Sequence, residues 1–307
     1  MKKIALFIFA CLTIQCSSEM QQAPIAKKVK KVLEIHDDQR IDNYFWMRLS
    51  DEKKEAEQPD QQTQDVLDYL HAENDYRKHV MKPTEKLQKT IYDEIIGRIK
   101  QDDSSVPVTV NGYTYYTRFE KGQDYPYYCR EKAEENAKEE VMLDVPTMAE
   151  GYAYYAIGGR SVSENNKILA YAVDTVSRRE YTLYFKNLET GEILSDKIEN
   201  TTGGITWAND NQTVFYVKKD PQTLRAYQIF KHRLGTDTSD DELVYEEKDE
   251  TFSCWISKTK SRQYLMIGAS QTLSTEYRFL DANTPDGKWQ VVHPREINLE
   301  YFVDHYK

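Results

Sequence analysis

Two hydrophobic rhythms divide the chain. Between Asp60 and Lys100 the apolar residues fall at helical spacing: Val66, Tyr69, Leu70 and Tyr76, then Leu87, Ile91, Ile95 and Ile99 in steps of four. Residues four apart stack on one side of an α-helix, so this stretch predicts two amphipathic helices, with Pro83 at the opening turn of the second. Each stripe calls for a surface to cover it, since apolar area left in water forgoes about 25 cal/mol per Å².

From Val106 onward the rhythm shortens. Runs rich in Tyr, Val, Ile and Thr are separated by turn signals: Asn111-Gly112, Lys121-Gly122, Glu189-Thr190-Gly191, Gly203-Gly204, Asn209-Asp210-Asn211 and Pro285-Asp286-Gly287. This texture predicts antiparallel β-structure. A repeat runs through it. Asn166–Tyr171, Gln212–Tyr216 and Arg262–Ile267 resemble one another, and aligning Ile168, Val214 and Tyr264 gives spacings of 46 and 50. A second strand follows each, opening on Tyr181, Tyr227 and Tyr277, again 46 and 50 apart. Units of about 40 to 50 residues with four strands are the blades of a β-propeller, and the stretch holds about four of them. A β-sandwich with regular hairpins is the competing architecture. The expected class is mainly β: residues 17–104 an extension with two amphipathic helices, residues 105–307 a partial propeller.

Composition narrows the function. The 23 tyrosines suit half-exposed sheet faces, and the net charge of −10 excludes the basic footprint that nucleic acid requires. Runs such as Glu134-Glu135, Glu139-Glu140 and Asp240-Asp241-Glu242 are expected as solvated loop charge, with an acidic wall for basic peptides as the alternative. At the start, Lys2 and Lys3 precede an apolar run, Ile4 to Ile14, too short to span a bilayer but sized for a signal-peptide core. Residues 1–16 are therefore expected to be a signal peptide, with the lipoprotein type as one form of it. Cys16 follows that core and is the lipidation candidate, although Gln15 stands where a small residue is usual; Cys11, preceded by Ala10, is its rival. The expected location is the periplasm or cell envelope, with a lipid anchor at a bacterial membrane. Cys129 and Cys254 lie 125 apart, give no disulfide framework, and are expected as buried free thiols.

Chemistry-bearing constellations are absent from the sequence. Gly159-Arg160-Ser161-Val162-Ser163 fails as a nucleophile elbow at its last position, and Gly158-Gly159 is expected as a turn and not a phosphate loop. Asp102-Asp103 is expected to serve a turn or cap. No CxxC or HExxH occurs, and His71 and His79, eight apart on the first helix, are expected at its surface. No catalytic, cofactor-binding or metal-ligating residue is assigned, and no cofactor. On these grounds alone the chain is a binding or gating scaffold.

Two segments change the picture. His36 to Arg48 contains Asp42-Asn43-Tyr44-Phe45-Trp46-Met47-Arg48. This resembles the opening motif of the prolyl oligopeptidase family. Asn43 and Arg48 lean toward its oligopeptidase B branch, since prolyl oligopeptidases proper tend toward Pro and Glu there. The second segment runs from Tyr69-Leu70-His71-Ala72-Glu73-Asn74 through Asp103–Pro107 and Gly112–Arg118 to Tyr125–Arg130, in the order and spacing of that branch. The resemblance extends over residues 30 to 307.

It implies a seven-bladed propeller capping an α/β-hydrolase domain that carries Ser, Asp and His in that order. That domain is absent from this chain. The helices would pack on the hydrolase domain, and the propeller would admit only short peptides, cut after Lys or Arg. Tyr301 to Lys307 resembles the opening strand of a further blade. The alternative is a stand-alone envelope lipoprotein whose propeller binds peptides or proteins; an unrelated β-rich envelope protein is a third.

Overall fold

The computed structural model describes residues 22–307, which form two units, one ending at Ile99 and one spanning Lys100–Lys307. The signal segment with Cys11 and Cys16 lies outside the described residues. In the first unit a hairpin pairs β1 (Lys31–Ile35) with β2 (Asp38–Asp42). Its two turn residues, His36 and Asp37, both have positive φ, the conformation that matches the twist of a two-residue hairpin. Three helices follow: α1 (Asp51–Glu55), α2 (Gln61–Met81) and α3 (Glu85–Arg98), with Pro83 in the tight turn between the last two.

Asp60 caps α2, accepting from Thr63 N at 2.8 Å. Hydrogen bonds from Lys53 and Thr63 hold its carboxyl down at about 2. Val66 of the predicted stripe is buried, but among the described residues the second helix finds no cover. Leu87, Ile91, Ile95 and Ile99 remain 59%, 47%, 54% and 55% exposed. His71 and His79 are exposed on α2.

In the second unit every ladder is antiparallel. The first blade comprises β3 (Asp103–Ser104) and β4 (Val108–Val110), both on β5 (Tyr113–Phe119), then β6 (Tyr127–Lys132) and β7 (Glu140–Asp144). Pro107, with no N–H to give, separates β3 from β4. A short helix, α4 (Val145–Met148), leads into a seven-stranded sheet: β8 (Ala156–Val162), β9 (Ile168–Asp174), β10 (Tyr181–Asn187), β11 (Ile193–Trp207), β12 (Thr213–Lys219), β13 (Ala226–Arg233) and β14 (Glu242–Glu246). This sheet is two blades sharing one strand. The first half of β11 pairs with β10 and closes the second blade, while its second half pairs with β12 and opens the third. The fourth blade is β15 (Ser253–Lys258), β16 (Tyr264–Gln271), β17 (Ser274–Asp281) and β18 (Gln290–Val291). The predicted repeat is the central hairpin of blades two to four: β9–β10, β12–β13 and β16–β17.

Register refines the repeat by one residue. Ile168 pairs with Asn187, Thr213 with Arg233 and Tyr264 with Asp281, so Thr213 and not Val214 is the counterpart of Ile168. A one-residue shift changes which face a side chain takes, and the cores depend on it. Leu169, Tyr171 and Val173 of β9 pack toward the first blade, whereas Ala170 and Ala172 pack with Val214 and Tyr216 of β12. Phe215 and Val217 of β12 turn the other way and meet Cys254, Ile256, Leu265 and Ile267 of the fourth blade. Each middle strand thus feeds two cores, one per face. That is why it reads as an unbroken apolar run and not as an alternation.

Three turn and strand expectations are corrected. Gly158-Gly159 lies inside β8, at a register shift between Ile157 and Arg160. Gly203-Gly204 lies inside β11, where the strand passes from one blade to the next. The cause is a close backbone approach: a Cβ on Gly159 would meet the Gly203 carbonyl oxygen at 2.0 Å. Tyr301 to Lys307 forms no ladder among the described residues. It lies along the fourth blade, with Ser261 N donating to His305 O at 2.9 Å.

Candidate functional site

The turns joining the first and second strands of the four blades converge. Each places one non-glycine residue in the left-handed region: Asn111, Asn166, Asn211 and Arg262, at φ 52°, 62°, 60° and 64°. Asparagine tolerates that conformation because its amide can bond nearby backbone. Here the amides also bind across blades. Asn111 Nδ2 donates to Glu164 O at 2.7 Å, Asn166 Nδ2 to Asn111 O at 3.1 Å, and Asn165 N to Asn211 Oδ1 at 2.7 Å. Asn209 Nδ2 donates to Arg262 O at 3.3 Å. Four loops far apart in sequence become one polar assembly.

Lys258 sits at its centre. Its ammonium donates to Glu164 Oε1 at 2.6 Å and to Asn209 Oδ1 at 2.7 Å. Burial pushes the ammonium down to about 8, while the negative charge of Asp210 acts in the opposite sense and favours the charged form. Arg262 also pairs with Glu164. In the first blade Arg130, almost fully buried, donates to Glu140 Oε2 at 2.8 Å and to Asn166 O at 2.8 Å, under the ring of Tyr113 at 4.2 Å.

Beside this assembly opens a cavity of about 710 Å³, bounded by blades one, two and four. Tyr115, Tyr116 and Tyr128 line it with Val106, Val108 and Val110, giving an apolar and aromatic wall. Arg160, Lys258, Lys260 and Arg262 supply four cations against the single carboxylate of Glu164. Arg160 lies over Tyr128 at 3.8 Å from the ring centroid. A cavity of this size, with an apolar wall and a few polar groups, has the form of a small-ligand or peptide site.

A second cluster lies buried where the second and third blades meet. His232 is fully enclosed, its Nδ1 at 2.6 Å from Asp241 Oδ1 and its Nε2 at 3.1 Å from Asp196 Oδ1. Tyr216 Oη donates to Asp241 Oδ2 at 2.8 Å and Gly235 N to Asp196 Oδ1 at 2.5 Å. Burial alone would push the imidazole down, but the two carboxylates outweigh it and raise its pKa. An imidazolium between two acceptors, with no nucleophile beside it, is a structural clasp and not a catalytic base. Sequence reasoning missed it, since Asp196 and Asp241 follow no spacing that marks them as partners of His232, and Asp241, expected as solvated loop charge, has a buried side chain instead. The cavity carries no sequence signal either: in the sequence Arg160 stands only within the failed elbow motif, and many of its cavity neighbours come from other blades.

Cys129 and Cys254 are buried free thiols, as expected, and burial pushes them up to about 11 and about 12. Among the described residues no three His, Cys, Asp or Glu side chains gather to hold a metal, and no helix is long and apolar enough to cross a membrane.

Comparison with known proteins agrees with this architecture. Residues 23–307 match the prolyl oligopeptidase N-terminal beta-propeller domain. Dipeptidyl aminopeptidase BI of Pseudoxanthomonas mexicana is 41% identical over 92% of this chain, and Protease 2 of Moraxella lacunata is 32% identical over 92%. Oligopeptidase B from Leishmania major superposes with a TM-score of 0.83 at 30% identity over 93% of the chain. The chain spans 40% of the length of the first two and 41% of the third. It carries a run of antiparallel blades and, among the described residues, no parallel sheet of the α/β-hydrolase kind. The chain belongs to the prolyl oligopeptidase family, and the part of that family's plan it carries is the N-terminal propeller.

Proposed function

We propose that this chain is the N-terminal and gating part of a longer serine oligopeptidase that hydrolyses short peptides after Lys or Arg. The observation that carries this reading is the 41% and 32% identity to two named peptidases across nearly the whole chain. In this reading the propeller restricts access to flexible peptides, and the uncovered stripe of α3 packs on the hydrolase domain that completes the enzyme. The chain by itself is catalytically inert. A second reading follows from the higher of the two identities: removal of dipeptides from peptide N-termini, the activity in the name of the Pseudoxanthomonas relative.

One assay separates them. The protein made from the whole reading frame is given short internally quenched peptides containing Lys, Arg or Pro, their N-terminally blocked forms, and a folded protein. Cleavage after Lys or Arg in blocked peptides, with the folded protein intact, is expected. Release of dipeptides only from unblocked peptides would favour the second reading. Cleavage of the folded protein at a comparable rate would remove the gating role.

Export also belongs to this proposal, supported by Lys2, Lys3, the apolar run to Ile14 and Cys16. Radiolabelled palmitate should enter the wild-type chain and not the Cys16→Ser variant; labelling that persists there and vanishes in Cys11→Ser would move the anchor.

A further inference from the structure

The chain carries a net charge of −10, yet its large cavity is lined by four cations and one carboxylate. This local inversion has a direction. Lys258 and Arg262 are both committed to Glu164, and Lys258 additionally to Asn209. Arg160 and Lys260 are not committed. Neither forms an ion pair among the described residues; Arg160 lies over the ring of Tyr128 at 3.8 Å, and Lys260 over that of Tyr306 at 5.3 Å, with the Asp304 carboxylate near enough to feel its charge. A guanidinium stacked on an aromatic face keeps its N–H edges free in its own plane, where they fit the two oxygens of a carboxylate.

The wall opposite in character is apolar. Val106, Val108 and Val110 are 84%, 57% and 47% exposed although they sit on or beside a strand, and the three cavity tyrosines adjoin them. Exposed valines beside uncommitted cations describe a ligand with an apolar body and an anionic end. A volume of about 710 Å³ holds a few residues of extended peptide and excludes a folded domain.

We propose that this cavity binds the free C-terminal carboxylate of a short peptide with apolar side chains, Arg160 and Lys260 receiving the carboxylate and the valines and tyrosines the side chains. The anion site stands on the geometry alone; the choice of a peptide as occupant rests on the peptidase reading. No bond is made or broken there. Its role in a longer enzyme is to hold peptides of the length and polarity that the gate admits.

The test is calorimetric titration of the purified 307-residue chain with three probes: N-acetyl-Ala-Leu-Phe as the free acid, the same peptide as its C-terminal amide, and inorganic phosphate. The free acid should bind in the submillimolar range, with the amide about tenfold weaker and phosphate weaker still. Arg160→Gln, an exposed position where folding is not at stake, should weaken the free acid by about tenfold, and Arg160→Lys should recover part of that loss. Lys288→Gln, an exposed charge outside the cavity, should change nothing.

Equal binding of acid and amide, or unchanged binding in Arg160→Gln, would overturn the carboxylate assignment. Absence of binding up to about 5 mM would overturn the site, and phosphate binding as tightly as the peptide would overturn the peptide as its occupant. Binding is read without hydrolysis. Its failure therefore leaves the peptidase reading intact, and an inactive longer enzyme leaves the binding result intact.

Discussion

Helix α3 and strand β12 are equally apolar in pattern and opposite in fate. Leu87, Ile91 and Ile95 line one side of α3, with Ile99 just past its end, and all four stay about half exposed, whereas Val214, Phe215, Tyr216 and Val217 are each at most 2% exposed. The strand lies between two sheets, so its alternate side chains enter two different cores. The helix has a single stripe, and among the described residues of its unit that stripe finds no second layer. Hydrophobic periodicity thus reports which element forms and which side must be covered. It does not report which body supplies the cover.

The contrast can be broken most directly by paired substitutions in this chain. Phe215→Ala empties space between the third and fourth blades, where Phe215 also meets the edge of Trp289 at 5.8 Å. It should cost about 4 kcal/mol in urea unfolding followed by tryptophan fluorescence. Ile91→Ser on α3 should stay within about 0.5 kcal/mol of wild type. A loss as large at Ile91 as at Phe215 would show that the helix stripe is covered within the chain, and the comparison would collapse.

A smaller effect sharpens the comparison through charge. The ion pairs of α3, Lys89 with Asp93 and Arg98 with Glu94, are exposed and contribute little. His232 in the third blade is buried between two carboxylates and its pKa is raised above the ordinary 6.5. A histidine whose folded pKa exceeds its unfolded one stabilises fully below the unfolded value, and that contribution is lost as pH rises through the folded one. The urea midpoint of the propeller should therefore fall as pH is raised from about 6.5. Lys258, pushed down to about 8, carries the opposite sign, because above that pH the unfolded chain binds more protons than the folded one. A midpoint that rises steadily between pH 6 and about 8 would remove the clasp from His232.

Much of the fold was legible because it is local. The helix pair, Pro83 at its junction and the hairpins of blades two to four follow from spacing and turn chemistry within stretches of a few dozen residues. The glycine pairs were misjudged for a physical reason. Gly203-Gly204 marks a turn in most sequences, but here φ is +85° at Gly203 inside a strand that two blades share. Gly159 is required by the carbonyl oxygen of Gly203, which lies 44 residues further along the chain. No window of sequence contains that contact.

The cavity and the buried clasp were illegible for the same reason. Arg160, Tyr115 and Lys260 belong to three blades, and His232 meets Asp196 across 36 residues. What the sequence by itself determined is the period of the repeat, the element types and, through the resemblance, the family; each depends on neighbours along the chain. What only the tertiary structure decided is the register that sends Phe215 and Tyr216 to different cores, the strand shared by two blades, and the meeting of four turns around Lys258. Those depend on how strands pair and blades stack, and the chain settles them only when distant segments come within hydrogen-bonding and van der Waals reach.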